Sequence, residues 1–484
     1  MNHCSTVEER VSIVSQLLAL PTHGVVSQLS RTHQVSRQTL YRWSARGRKA
    51  LEAALGTSVL PMKRTPSVAP LVLTMLIETH ASYRGIQTSL KSMHGIEISL
   101  GTIAGLVKEA GQRAQCWMEQ QQAGTARALA LDEQYSSQRG KAYLNVIDVH
   151  SGQVWATVPP VEVDGESWTA LLWYVRDQGI RSLSTVSDGG RAIQEALSQV
   201  HGQEHHQRDV WHLFHVAAQV QGRLDRAVKT EHDRLPVIRR QAERKATGKP
   251  ARGRPPKATR SQQQALLAQM EYVADSVRYL CQELHTLLEV VVLNAGRILR
   301  SEHRQDEIEA VLDLLDEVAP LAIPALQKHI EMLATQLRLA LPQTLLFARQ
   351  LDAMQERAAR LLGPEAVALL AWAWMRRAVL GPTSKALLQC VPSDWRTEAS
   401  LLLTGWDQAV RASSAVENWH SVVRPHLAVH RTLSAGMLAL LAVWHNHRVA
   451  PRGLHQGLSP LQRTGSNVPE GDWLAALGYS ALTA

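Results

Sequence analysis

ARALALDEQYSSQRGKAYLNVIDVHSGQVWATVPPV, residues 126–161, decides the fold. It divides into three apolar runs, ARALALDEQYS, KAYLNVIDVHSG and QVWATVPPV, with turn signals at Gly140 and at Ser151-Gly152. Such spacing predicts a meander of three strands. Downstream, GESWTALLWYVRDQG (165–179) reads as a helix, RSLSTVSDGG (181–190) as a buried strand ending in a Gly-rich turn, and RAIQEALSQV (191–200) as another helix. A meander followed by alternating helix and strand implies a mixed α/β sheet. From about 212 to 405 nearly everything reads helical, with proline-marked breaks at 320, 324, 342, 364, 382 and 392.

Upstream the pattern is helical. Residues 6–20 read as a helix, and HGVVSQLSRTHQVSRQTLYRWSARGRKA (23–50) has the cadence of a helix-turn-helix. Val25, Val26 and Leu29 face a small core, Val35 sits in the turn, and Ser36 caps a second helix that turns Leu40 and Trp43 inward. Arg37, Gln38, Arg42, Arg46, Arg48 and Lys49 then face out, available to bases and phosphates of double-stranded DNA. A solvated basic helix without a partner is the plainer reading. A proline-rich stretch at 59–70 reads as a linker, and SYRGIQTSLKSMHGIEISLGTIAGLVKEAGQRA (82–114) as a further helical pair, its second helix capped by Ser99, with the pattern of either a second helix-turn-helix or a small helical connector.

Composition sets the outer bounds. The chain has 484 residues, 52 Lys and Arg against 43 Asp and Glu, and a net charge of +9, which favours a polyanionic partner without deciding it. Cys4, Cys116, Cys281 and Cys390 lie far apart, which excludes a disulfide framework and a paired-cysteine zinc signature and fits a reducing cytoplasm. Neither a signal peptide nor an apolar run long enough to cross a bilayer is read. No Gly-rich loop with GK[ST] appears, so no nucleotide cofactor is expected.

Two aspartates end apolar strands. Asp132 follows ALAL, and Asp188 follows LSTVS and precedes Gly189-Gly190, a turn that leaves its carboxylate at the carboxyl end of the sheet. A carboxylate so placed wants a cation or hydrogen bonds. Paired strand-borne carboxylates can share Mg²⁺ or Mn²⁺, and a third acid comes from RASSAVENWHSVVRPHL (411–427), where Ser413 or Ser414 can cap a helix with Glu417 in its first turn. Alternatives stay open: Asp148 in the second strand can replace Asp132, Glu133 points to the other face, and Asp164 and Glu166 start a helix. His205, His206, His212 and His215 invite a zinc reading, which the absence of nearby cysteines and of regular ligand spacing opposes. Trp211 and Trp419 flank the candidate site in sequence, where stacking on a base competes with plain core packing.

RASSAVENWHSVVRPHL, followed by LALLAVWHNHRVAPRGLHQGLSPLQRTG (438–465), resembles the C-terminal catalytic segment of prokaryotic insertion-sequence transposases, particularly those with long helical insertions. The resemblance implies that Glu417 completes an Asp-Asp-Glu triad with Asp132 and Asp188. HHQRDVWHLFH (205–215) is similar to the strand of Mutator-like and hobo-like transposases that carries a Cys or Asp, two residues, then His; here the motif falls on Asp209 and His212, and His212 reads as an orienting or phosphate-contacting group. The similarity spans roughly residues 20–465 and implies an α/β RNase H-like core interrupted by an all-α insertion. The 229 residues from Asp188 to Glu417 accommodate that insertion.

Within the insertion, IRRQAERKATGKPARGRPPKATR (238–260) holds nine basic residues against one acid and is expected to be a flexible loop. Its Arg252-Gly253-Arg254-Pro255-Pro256-Lys257 matches the AT-hook, an extended motif that lays arginines along a narrow A·T-rich minor groove.

The domain plan is then a helix-turn-helix domain (1–58), linker (59–70), second helical unit (71–125), first part of the core (126–220), helical insertion (221–405), the core's C-terminal part (406–465) and a tail (466–484). The expected activity is Mg²⁺-dependent cleavage and strand transfer at the ends of a mobile element, with two ends brought together by at least a homodimer. A non-catalytic DNA-binding regulator descended from such an enzyme, and a structure-selective nuclease with the same core, are the rivals.

Overall fold

The computed structural model describes residues 6–19, 25–55, 68–121, 125–200, 205–248, 258–380, 390–452, 455–466 and 472–479. It is 70% helical around one mixed five-stranded sheet, so most burial is helix against helix or helix against sheet. The chain forms two compact units, one from Met1–Thr185, Gly189–His205 and Ser413–Ala484, the other from Val186–Asp188 and His206–Ala412. Among the described residues no helix is long and apolar enough to cross a membrane.

The first unit begins with α1 (Val7–Ala19), α2 (Val25–His33) and α3 (Arg37–Leu55), closed around Ile13, Leu29 and Leu40. Gln34 takes a left-handed φ of 51° between α2 and α3, and Ser36 accepts the Thr39 amide at 3.1 Å to cap α3. Next come α4 (Ala69–Glu78), α5 (Tyr83–His94) and α6 (Leu100–Gln120). Ser82 and Ser99 cap α5 and α6 as local sequence dictates, and Gly95 ends α5 in the left-handed conformation.

The sheet follows. β1 (Thr125–Tyr135) pairs antiparallel with β2 (Lys141–Asp148), and β2 pairs antiparallel with β3 (Val154–Glu162). The chain continues through α7 (Gly165–Asp177), β4 (Arg181–Ser187), α8 (Arg191–Val200) and β5 (His206–Arg208), and the strand order is β3-β2-β1-β4-β5. Alternation of side chains sorts the two faces. Leu129, Leu131, Leu144 and Val146 pack with Trp168 and Leu172 of α7 and Ile193 and Leu197 of α8.

The second unit is helical. Its elements are α9 (Val210–Ala246), α10 (Arg260–Leu287), a hairpin of β6 (Leu293–Asn294) and β7 (Arg297–Ile298), α11 (Ser301–Val318), α12 (Pro324–Thr344), α13 (Leu346–Leu362), α14 (Pro364–Met375), α15 (Arg377–Leu380) and α16 (Arg396–Asp407). Leu280, Leu312, Leu315, Ile330, Phe347, Leu402 and Trp406 belong to its core. Pro324 and Pro364 open helices as expected, whereas Pro342 sits inside the end of α12.

The basic stretch departs from expectation. α9 runs on to Ala246, so residues 238–246 are helix and not loop: Ile238 is buried, and Arg239 pairs with Glu243 one turn on at 2.9 Å. Arg, Gln, Glu, Lys and Ala are strong helix formers, and charge on an exposed helical face costs little. Residues 249–257, with Arg252, Arg254 and Lys257, lie outside the described residues.

Back in the first unit, α17 (Ser414–Val429) and α18 (Ala435–His447) cover the other sheet face. The Leu433 amide donates to the Tyr143 hydroxyl at 3.0 Å, and Asn446 exchanges two bonds with the Val154 backbone at 2.8 and 3.0 Å. α18 also crosses α6 where Gly111 meets Gly436. A Cβ on Gly111 would stand 2.9 Å from the Gly436 backbone, which no rotamer change relieves. Gly111→Leu is therefore expected to lower stability by about 1–3 kcal/mol through overpacking. A thermal midpoint equal to that of the native protein would contradict this reading of the crossing.

Candidate metal centre

β1 presents Asp132 on the face covered by α17, directly opposite Asn145 of β2 in the ladder. α17 begins at Ser414 and carries Glu417 in its first turn; Ser413 stands at the N-cap position without a side-chain cap bond. His420 lies three residues after Glu417, one helical turn along the same face. A carboxylate oxygen of Asp132, one of Glu417 and a ring nitrogen of His420 all lie within 4.8 Å of one another, and among the described residues this is the group of His, Cys, Asp or Glu that can hold a metal ion.

Both carboxylates have hydrogen-bond donors within the protein. Asp132 Oδ1 accepts the Glu133 amide at 2.8 Å, and Glu417 Oε2 accepts Arg424 Nη2 at 3.1 Å from two turns along α17. The other oxygens, Asp132 Oδ2 and Glu417 Oε1, lie 4.0 and 3.9 Å from His420 Nδ1. His420 is 3% exposed, Asp132 22% and Glu417 50%, so the gap opens to solvent on the glutamate side and is walled by the imidazole within. Burial pushes the His420 imidazole down to about 4, against the pull of Glu417, which leaves it neutral at pH 7. Two oxygen donors facing one gap suit a hard divalent cation.

No protein-family model matches this chain, and none of the curated proteins does.

The other expected residues have local surroundings of their own. Asp188 follows β4 in the second unit, beside β5; Arg208 there is lowered by burial and raised by the Asp188 and Asp209 carboxylates. Asp209 caps α9 by accepting the Trp211 and His212 amides at 2.7 and 3.2 Å, so the aspartate of the Asp-x-x-His motif holds a helix start, with half-buried His212 in its first turn. Asp148, the alternative to Asp132, accepts the His150 and Ser151 amides at 2.8 and 2.7 Å and so shapes its own turn. Glu133 points to the opposite face, where it accepts Trp168 Nε1 at 2.8 Å, and Asp164 caps α7. Trp419 is fully buried and donates to Asn145 Oδ1 at 2.9 Å, which excludes it as a base-stacking platform, while Trp211 is exposed and stacks on His215. Asn145 and His420 were not singled out from sequence. Both left a trace there, a lone amide inside an apolar strand and a histidine one turn after Glu417.

The basic face of α3 divides in two. Arg37 pairs with Glu166 of α7 at 3.4 Å, Ser27 donates to both oxygens of the same carboxylate at 3.0 Å, and Arg42 lies 5.6 Å over the Trp173 ring. Gln38 lines the crevice between α3 and α7 with Tyr41, whose hydroxyl burial pushes up to about 12. Arg46, Arg48 and Lys49 are exposed. Arg37 and Arg42 are exposed as expected, and each also has a partner within the protein.

Proposed function

We propose that this chain is a DNA transposase that cuts and joins DNA strands at the ends of its own mobile element, with Asp132, Glu417 and Asp188 as its metal-binding carboxylates. The observation that carries the reading is the convergence of Asp132 and Glu417, far apart in sequence, on one gap with a buried imidazole behind it. Structural ion pairs do not need this arrangement, since Arg424 engages one oxygen of Glu417 and leaves the other turned to the gap. Asp188, which closes β4, is the third carboxylate of the proposal. A meander of three antiparallel strands followed by helix-linked β4 and β5 supports an RNase H-like core, and the helical residues 206–412 support the insertion.

Mg²⁺ or Mn²⁺ held by the carboxylates would polarise the scissile phosphate and favour an attacking hydroxyl. The protein's own share is positioning: Glu133 N and Arg424 fix the two carboxylates. α2 and α3, with Arg46 and its exposed neighbours, are the proposed helix-turn-helix contact to element ends, together with Arg37, Gln38 and Arg42. His212, beside β5, is a proposed phosphate contact, and the basic end of α9 with Arg252, Arg254 and Lys257 is a proposed second grip on DNA.

The test uses purified protein, Mg²⁺ and duplexes carrying the inverted repeats that flank the gene. End-specific nicks are expected, and Asp188→Ala is expected to bind the duplex and leave it uncut. Full cleavage by Asp188→Ala would remove that residue from the site.

A further inference from the structure

The hydrogen bonds around Asn145 fix where the His420 proton sits. Trp419 Nε1, which can only donate, lies 2.9 Å from Asn145 Oδ1, and Thr157 Oγ1 donates to the same oxygen at 2.9 Å. The side-chain amide can therefore stand only one way round. Turning it over would set an NH₂ group against the indole N–H. The Asn145 Nδ2 hydrogens then point to the Tyr143 carbonyl oxygen and to His420 Nε2, each at 3.3 Å. Facing a donor, Nε2 must present its lone pair, so the proton of the neutral ring is on Nδ1, the nitrogen that faces Asp132 Oδ2 and Glu417 Oε1.

We infer that His420 is a positioning residue that points an Nδ1–H donor into the gap between Asp132 and Glu417, and is not a third ligand to a metal held there. A protonated nitrogen has no lone pair to give a cation. At 3.9 and 4.0 Å the donor is too far for a direct bond to either oxygen, and a single water spans such separations. The donor set left to a cation is all oxygen, which selects hard ions such as Mg²⁺ and Mn²⁺ over Zn²⁺. Asn145 is thus the determinant of metal choice without touching the metal. A carboxylate in its place would accept from Nε2–H, move the ring proton there, and turn the Nδ1 lone pair to the gap, the arrangement that metal-ligating histidines use.

The inference rests on the proposed metal-binding role of Asp132 and Glu417, and its test keeps the two apart. Two-bond proton–nitrogen correlation on metal-free, histidine-labelled protein, with the His420 signals assigned by their loss in His420→Gln, reads the tautomer directly. A protonated Nδ1 with a bare Nε2 is expected; a protonated Nε2, or a doubly protonated ring, overturns the inference whether or not any metal binds. Mn²⁺ binding followed by its spin-resonance spectrum, in native protein and in Asp132→Asn/Glu417→Gln, tests the underlying reading. Binding lost in the double variant supports that reading, and identical binding in both proteins defeats it while the tautomer result stands. Directly coordinated nitrogen in the bound Mn²⁺ spectrum that disappears in His420→Gln also overturns the inference. Asn145→Asp is expected to tighten Zn²⁺ binding by about 10- to 100-fold, the usual range for a changed partner of a ligating histidine. A folded Asn145→Asp protein with native Zn²⁺ affinity counts against it.

Discussion

Asp132→Asn and Glu417→Gln are each expected to slow strand cleavage at least about a thousandfold, or about 4 kcal/mol of transition-state stabilisation, in end-joining assays with Mg²⁺. Both changes keep side-chain shape and remove only the charge. The local bonds survive them, because the new asparagine retains an oxygen for the Glu133 amide and the new glutamine one for Arg424. Fold and duplex binding should therefore hold, with a thermal midpoint close to native, and the loss should fall on the chemical step. A variant that keeps more than a tenth of native cleavage would take its residue out of the metal site. Loss of folding together with cleavage would instead mark the carboxylate as part of the scaffold.

Arg304→Met is the second large effect, and it falls on stability. Arg304 is 1% exposed, and its guanidinium donates to three backbone carbonyls: Nε to Leu299 at 3.0 Å, Nη1 to Glu289 at 2.6 Å and Nη2 to Val290 at 3.2 Å. These carbonyls belong to the segment joining α10 to α11, which makes few regular bonds of its own beyond the β6–β7 hairpin. Burial draws the guanidinium down to about 10, offset by Asp352, and it remains charged at pH 7. Methionine fills the volume and leaves one buried and two part-buried carbonyls without this donor, at a cost of about 3–5 kcal/mol. Lysine carries the charge without the planar fork and should recover only part of this. Hydrogen exchange in α10 and α11 is the local measure, with protection expected to fall by about a hundredfold or more. Protection within threefold of native would show that the forked contact carries little.

Sequence made the sheet legible because period-2 patterning and glycine turns are local signals, and 126–161 does form three strands. Asp132 and Glu417 were visible for the same reason, one at the end of an apolar run and one just inside a helix start. What joins them was not visible. Asn145, Trp419 and His420 form a unit only through the packing of α17 on β1 and β2, a long-range contact for which local pattern carries no information. The helical course of 238–246 was hidden by its charge, which suggests a solvated loop although the same residues favour helix. The engagement of Arg37 and Arg42 by α7 was likewise out of reach, since nothing in α3 announces Glu166 or Trp173 as partners.

The pairing of Asp132 with Glu417 also has a timetable. Glu417 comes 285 residues after Asp132, a stretch that takes a ribosome roughly 15 to 60 s to make. During that interval the newborn protein owns α1 to α6 and adds the remaining strands, but has neither α17 to supply the second carboxylate nor α18 to cover α6. On the proposed function, a half-made chain can reach for DNA before it can cut. A product broken off after α3 and before Glu417 would occupy element ends without cleaving them, so incomplete translation would restrain the activity of finished copies.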